Sequence, residues 1–346
     1  MEKYMITFFV ALAISYILTP YAKKLAYRIG AIDVPKDNRR IHKKPIPRLG
    51  GVAIYTAFMI TALISLPIDR QLMAILIGAT VIVLTGIIDD VKPISAKYKM
   101  VAQIIAALII VSSGLRIVYV SNPLVPGAGM NLGILSIPVT IFWIVGVTNA
   151  VNLIDGLDGL AAGVSVIASI SLAAVAYLNG QPEVAVLLVI LAGASLGFLP
   201  YNFNPAQIFM GDTGSLFIGF ILASVSIEGV IKSATTIAVA IPVLALGVPI
   251  FDTAFAIVRR LVNKRPIMEA DKGHLHHCLL DRGLSQKQTV LVLYSISIIL
   301  GGSAIIIADA TRGTAYLLIV FIATSVLLGA IRIGLFKKSA EEKANS

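Results

Sequence analysis

The chain has 346 residues, 58% of them hydrophobic and 13% charged, with a mean hydropathy of +0.92. Soluble domains are about 45–50% apolar and about 25% charged, so a soluble enzyme, a disordered chain and a fibrous protein are poor readings, and a polytopic membrane protein remains. The net charge of +10 has to be placed within this apolar chain, and the single cysteine, Cys278, excludes an internal disulfide and a multi-cysteine metal site.

Eleven apolar runs, at about 4–22, 50–66, 71–88, 98–113, 134–150, 160–178, 183–200, 215–230, 234–258, 288–308 and 314–336, predict the elements in order. The expectation is an all-α polytopic integral membrane protein, a single transmembrane domain over 1–346 with about 11 spans. The first run is followed by Lys23, Lys24 and Arg28 and by no small-residue cleavage pattern, so it stays as a helix. An odd number of spans puts the termini on opposite sides. With the N-terminus outside and the C-terminus cytoplasmic, 23 of the 28 Lys and Arg residues face inward, a strong positive-inside signal. The inner loops are then about 23–49, 89–97, 151–159, 201–214 and 259–287, and 13 of the 18 carboxylates fall on the same side. The basic pI is thereby assigned to the membrane face, and no nucleic-acid partner is expected. The longest outer loop alternates β-branched residues from Ile117 to Val120 and turns at Pro126-Gly127, which predicts a small external hairpin near 115–133.

Five polar constellations lie on the inner side. In the first loop, Arg39 to Gly51 combines basic residues with a stiff Pro45-Ile46-Pro47 and a Gly50-Gly51 pair, an ordered turn that would bring a few cations, Lys44 among them, over the membrane face. Asp89-Asp90 closes the third run. A helix C-terminus is the wrong end for negative charge, and acids beside a bilayer are costly unless used. From Asn149 through Asn152, Asp155 and Asp158, polar groups recur every third residue, and Gly156 and Gly159 offer the break that would fold them into one pocket. Helix capping by Asp155 or Asp158 would account for one of these four residues.

The segment from Tyr201 to Ser215, with Asn202, Phe209 and Asp212, is a glycine-flanked turn running into a helix, suited to phosphate, although Asp212 is also a plausible N-cap. A hard divalent cation takes one or two protein carboxylates, which Asp212 with Asp89 or Asp90 would supply. Finally, His274, His276 and His277 fall within four residues of one another. Zinc is the competing reading, but the spacing fits neither His-Glu-x-x-His nor a cysteine-pair ribbon, so contact to a sugar or phosphate is preferred.

Together, Asp89-Asp90, the Asn149–Leu160 run, Phe209-Met210-Gly211-Asp212-Thr213-Gly214-Ser215 and His274-x-His276-His277 resemble the polyprenyl-phosphate N-acetylhexosamine-1-phosphate transferase family over nearly the whole chain. Leu275 interrupts the three consecutive histidines typical of the peptidoglycan-precursor branch. The last loop therefore looks like that of the bacterial undecaprenyl-phosphate GlcNAc-1-phosphate transferases, which start teichoic acid, O-antigen or related glycopolymers. The resemblance implies a Mg²⁺-dependent reaction, with Mn²⁺ as a substitute, in which undecaprenyl phosphate displaces UMP from UDP-GlcNAc at the cytoplasmic face of a bacterial inner membrane. It implies Asp212 and Asp89 at the metal, with Asp89, Asp90 and Asp212 catalytic. It also implies Asn149, Asn152, Asp155, Asp158, Asn202 and Phe209 around the nucleotide, and Lys44, Lys97 (interchangeable with Lys99), His274, His276, His277 and Arg282 on phosphate or sugar. Direct transfer and a covalent phospho-aspartate both remain open, and a homodimer is compatible. UDP-MurNAc-pentapeptide or another UDP-N-acetylhexosamine is the alternative donor. An anionic-solute transporter is the alternative of another class, disfavoured because ionisable groups sit at helix ends, with Asp252 the only clear acid inside a run.

Overall fold

The computed structural model describes residues 1–34, 45–121, 129–232, 239–264, 266 and 273–332. Its elements in chain order are α1 (Glu2–Ile29), β1 (Ile32–Asp33), β2 (Ile46–Pro47), α2 (Gly51–Ser65), α3 (Arg70–Val91), α4 (Ala96–Ser112), β3 (Tyr119–Ser121) and β4 (Gly129–Asn131). There follow α5 (Ser136–Leu153), α6 (Leu160–Leu178), α7 (Pro182–Asn202), α8 (Gly211–Lys232), α9 (Ala240–Ala245), α10 (Gly247–Val262), α11 (Leu275–Leu280), α12 (Gln286–Asp309) and α13 (Arg312–Arg332).

Where described, each apolar run is helical. Seven helical segments among the described residues are long and apolar enough to cross a membrane: α1, α3, Gly133–Leu153 with α5 inside it, α6, α7, α12 and α13. The chain is a multi-pass membrane protein. The helix α2 is apolar but has only 15 residues, and α4 has 17.

The expected run at 234–258 is not one continuous helix where it is described, because two helices meet there at Leu246. Proline has no N–H to donate, so Pro249 would interrupt the interior of one continuous helix; in the first turn of α10 it is tolerated.

Two long helices form the centre. Helix α8 packs against α3, α5 and α2, and its Leu216, Phe217, Phe220 and Leu222 are almost wholly buried. Helix α7 packs against α1, α6 and α2. It approaches α1 closely because Gly193 and Gly197, one turn apart, face the Phe8 and Leu12 backbone; a Cβ at Gly197 would lie 3.1 Å from Leu12 Cα. Small residues spaced by four are how helices meet in lipid, where apolar burial alone gives no preference for protein over acyl chains. Helix α12 lies against α6 and α9, and α13 against α12. Outward-facing Ile299, Leu317 and Phe321 are exposed, as a lipid-facing surface requires.

The expected outer hairpin is present as β3 antiparallel to β4, with Val120 opposite Met130; Pro126 and Gly127 lie outside the described residues. A second ladder, β1 with β2, was not expected. It ties the end of α1 to the segment entering α2, and Arg48 N–H donates to Ala31 C=O at 3.0 Å.

Candidate active site

The site is built where the C-terminus of α3 meets the N-terminus of α8. Gly86 permits the approach, since a Cβ there would lie 2.5 Å from Thr213 Cα. Gly211, with φ of 71°, turns the chain into α8 directly against the Asp90 carboxylate. The segment after β2 runs beside this turn: Phe209 N–H donates to Pro47 C=O at 2.8 Å, and Gly50 N–H to Phe209 C=O at 3.0 Å.

Two charged side chains cross the junction in opposite directions. Asp90, only 2% exposed, accepts from the backbone N–H of Asp212 (3.1 Å) and of Thr213 (3.0 Å), and from Thr213 Oγ1 (2.6 Å). It therefore caps α8 from another helix, satisfying N–H groups at the positive dipole end. Arg48 donates to the carbonyls of Asp90 (3.1 Å) and Asp89 (3.4 Å) at the negative end of α3, with Nε 3.9 Å from Asp90 Oδ1. An acid at a helix C-terminus, unpartnered when α3 is considered alone, thus finds its donors in the assembled pair.

Asp89 and Asp212 are used differently. Lys99, in the first turn of α4, bridges them: its Nζ is 3.3 Å from Asp89 Oδ2 and 2.8 Å from Asp212 Oδ2. Asp89 Oδ1 also accepts from Ile94 N–H (2.9 Å), and Asp212 Oδ1 from Asn152 Nδ2 (3.1 Å), which further contacts Ser215 Oγ (2.8 Å). Oxygens of Asp89, Asp90 and Asp212 approach within 4.8 Å of one another. A carboxylate offers about four lone-pair positions. Those of Asp90 are largely taken by α8, whereas Asp89 and Asp212 each accept two of these bonds and retain capacity. The donor set of hard oxygens fits Mg²⁺ or Mn²⁺, with Asp212 and Asp89 as the residues to hold it.

Asp90 and Asp212 border an open cavity of about 880 Å³, whose wall also includes Asn152, Asp155, Asp158, Asn202, Phe209 and His277, while Asp89, His274 and His276 lie off it. Lys23, Tyr27, Arg48, Asn204 and Gln286 also line it. Burial, with the charges of Asp212, Asp90 and Asp158 nearby, pushes the Asp155 carboxyl up to about 8. Asp158 is engaged in shaping the wall, accepting from Asn204 Nδ2 (2.9 Å) and Ala206 N–H (3.0 Å). Asn202 accepts from Gly159 N–H (3.1 Å) and donates to Ile208 C=O (3.0 Å), holding the 156–160 turn against the 203–208 loop.

The short helix α11 brings the histidines to the same side. Both oxygens of Asp252 clasp its start, one 2.8 Å from His274 Nδ1 and the other accepting from Leu275 N–H at 2.6 Å. His276 is buried against the glycine turn, where a Cβ on Gly156 would lie 2.7 Å from its Nε2. Burial and the neighbouring His277 hold His276 down at about 3, so it is neutral at physiological pH.

The chain matches the family described as Glycosyl transferase family 4 over residues 72–230. It is 46% identical over 312 residues, 90% of this chain and 87% of the other, to the "Probable undecaprenyl-phosphate N-acetylglucosaminyl 1-phosphate transferase" of Bacillus subtilis (strain 168). The chain belongs to the polyprenyl-phosphate N-acetylhexosamine-1-phosphate transferase family. Within that family it is also 35% identical to the Mycobacterium tuberculosis decaprenyl-phosphate N-acetylglucosaminephosphotransferase, over 93% of this chain and 84% of the other. Its identity to the Staphylococcus epidermidis phospho-N-acetylmuramoyl-pentapeptide-transferase is likewise 35%, over 63% of this chain and 74% of the other. It is thus a membrane transferase, and none of these three relatives is a solute carrier.

Several residues selected from sequence take other places. Lys97 is exposed and outside the cavity wall, whereas Lys99, two positions on and about 200° around the helix, reaches Asp89 and Asp212. Asn149 is not on the cavity wall; it pairs with buried Gln103 of α4, donating to Oε1 at 2.6 Å. Arg282 is exposed, away from the cavity wall, and donates to Arg332 C=O at 3.0 Å. Lys44 lies outside the described residues. Arg48, Thr213, Asn204 and Gln286 were not selected. Arg48 had a signal in the rigid Pro-Ile-Pro-Arg turn, while Gln286, opening α12 far along the chain, had none.

Proposed function

We propose that this chain transfers GlcNAc 1-phosphate from UDP-GlcNAc to undecaprenyl phosphate, releasing UMP and forming undecaprenyl-pyrophosphoryl-GlcNAc. The observation that carries the reading is the Asp89–Lys99–Asp212 cluster beside a cavity roomy enough for a nucleotide sugar. An oxygen of the lipid phosphate attacks the sugar-bearing phosphorus, a new P–O–P bond forms, and the bond to the UMP oxygen breaks. Such a reaction needs positioning and charge neutralisation more than covalent help from protein.

In this reading Asp89 accepts the proton of the lipid phosphate or orients it, with Lys99 offsetting charge between Asp89 and Asp212. A divalent cation held by Asp212 and Asp89, Mg²⁺ by preference, supplies further neutralisation of the diphosphate. Asn152 fixes Asp212, Phe209 stacks on uracil, and Asp155, Asp158 and Asn202 bound the nucleotide pocket. His277 reaches the sugar or phosphate from the opposite wall. The charge asymmetry supports an eleven-span topology with this face toward the cytoplasm of a bacterial inner membrane.

The test is purified protein with undecaprenyl phosphate, Mg²⁺ and, separately, UDP-GlcNAc, UDP-MurNAc-pentapeptide and other UDP-N-acetylhexosamines, reading UMP and the lipid product. UMP release with UDP-GlcNAc is expected to exceed that with the others. Preference for UDP-MurNAc-pentapeptide would overturn the choice of donor, and no lipid product from any of them would overturn the reading.

A further inference from the structure

We propose that the groove between the inner ends of α1 and α2 is a binding site for an anionic membrane phospholipid, separate from the transfer site. The groove encloses about 490 Å³ against the apolar Leu18, Ala22 and Ala53, and Lys24 and Arg28 stand at its inner end. These two cations are four residues apart, hence on one face of α1, and converge on a single headgroup position. Lys24 Nζ lies 5.7 Å from the centroid of the Tyr21 ring, also part of the groove. Tyrosine beside lysine and arginine at a helix end places this level at the boundary between acyl chains and headgroups.

Charge complementarity selects the occupant. An acyl chain fits the apolar floor, and a phosphate fits the paired cations. The groove does not serve the reacting centre. Lys23 and Tyr27, on the other side of the same α1 turn, face the active-site cavity, and the two linings share no residue among those described. A polyprenyl phosphate seated in the groove would therefore lie off the cavity that holds Asp212, which favours a resident phospholipid over the substrate lipid.

The experiment reconstitutes the full chain in phosphatidylcholine vesicles with a trace of spin-labelled phosphatidylglycerol or phosphatidylcholine, and measures the motionally restricted fraction of each. The expected result is an excess of restricted phosphatidylglycerol that falls roughly tenfold or more in affinity in the Lys24→Gln/Arg28→Gln variant. Thr56→Phe, which fills the groove without changing charge, is expected to reduce it as well. Lys92→Gln/Lys287→Gln removes two exposed inner-face cations away from the groove and is expected to leave the excess unchanged. Equal loss in that control, or no loss in the groove variants, would overturn the site. Displacement of the labelled phosphatidylglycerol by unlabelled undecaprenyl phosphate more strongly than by unlabelled phosphatidylglycerol would overturn the choice of occupant.

Discussion

The junction of α3 with α8 and the clasp around α11 both place carboxylates at helix starts, yet what those carboxylates hold differs. Asp252 is only 4% exposed, and its oxygens receive His274 Nδ1 and Leu275 N–H. Asp90 is in the same condition at the start of α8. Asp89 and Asp212 instead share one ammonium, that of Lys99, and Asp212 stands on the wall of the open cavity. An acid that caps a helix start holds helices in register, while acids bridged by an ammonium at the edge of a cavity can take a cation or a proton. Burial of a carboxylate therefore does not by itself mark chemistry.

The contrast can be broken most directly at the acids bridged by Lys99. Asp212→Asn and Asp89→Asn keep shape but remove the charge and one acceptor oxygen, and each is expected to lower UMP release by about 10²–10³-fold or more with only a small fall in melting temperature. Lys99→Met is expected to cost about 10²-fold in the same assay while Lys97→Met costs little, which sharpens the choice between two lysines that sequence left equivalent. At the acids that cap helix starts the balance should reverse. Asp90→Ala removes a cap and is expected to cost about 0.5–2 kcal/mol of stability, read as a lower melting temperature in detergent. Gln103→Leu leaves Asn149 without its partner between α4 and α5, and is expected to cost about 1–3 kcal/mol by the same measurement.

The remaining effect concerns pH at the α11 clasp. His276 titrates at about 3 in the folded chain against an ordinary 6.5, so between these values the unfolded chain binds more protons. Stability from this group is complete above about pH 6.5 and is lost as pH falls toward 3, with a slope approaching 1.4 kcal/mol per pH unit at most. His276→Asn is expected to flatten the acid limb of a melting-temperature profile; an unchanged slope would show that other groups carry it.

Legibility from sequence followed the range of the interaction. The apolar runs gave helices because burial of twenty successive residues leaves an unmistakable pattern. Pro249 and Gly247 carried the signal for the break at Leu246, but hydropathy alone reads straight through it. The β1–β2 ladder and α11 span too few residues to show a period. In the site, Asp89, Asp212, Asn152 and Asp158 were selected because each polar group interrupts an apolar context. Their division of labour was not legible. Asp90 finds its partners on α8, 122 and 123 residues away, and Asn149 finds Gln103 at a distance of 46, contacts that no local spacing encodes.

The central claim is that charge on the acids bridged by Lys99, and not on the acids that cap helix starts, carries transfer. It is tested most directly by UMP release from UDP-GlcNAc with undecaprenyl phosphate and Mg²⁺, measured side by side for folded Asp212→Asn and Asp252→Asn proteins. The account predicts release near background for Asp212→Asn and substantial release, per folded molecule, for Asp252→Asn. Full release by Asp212→Asn would contradict it.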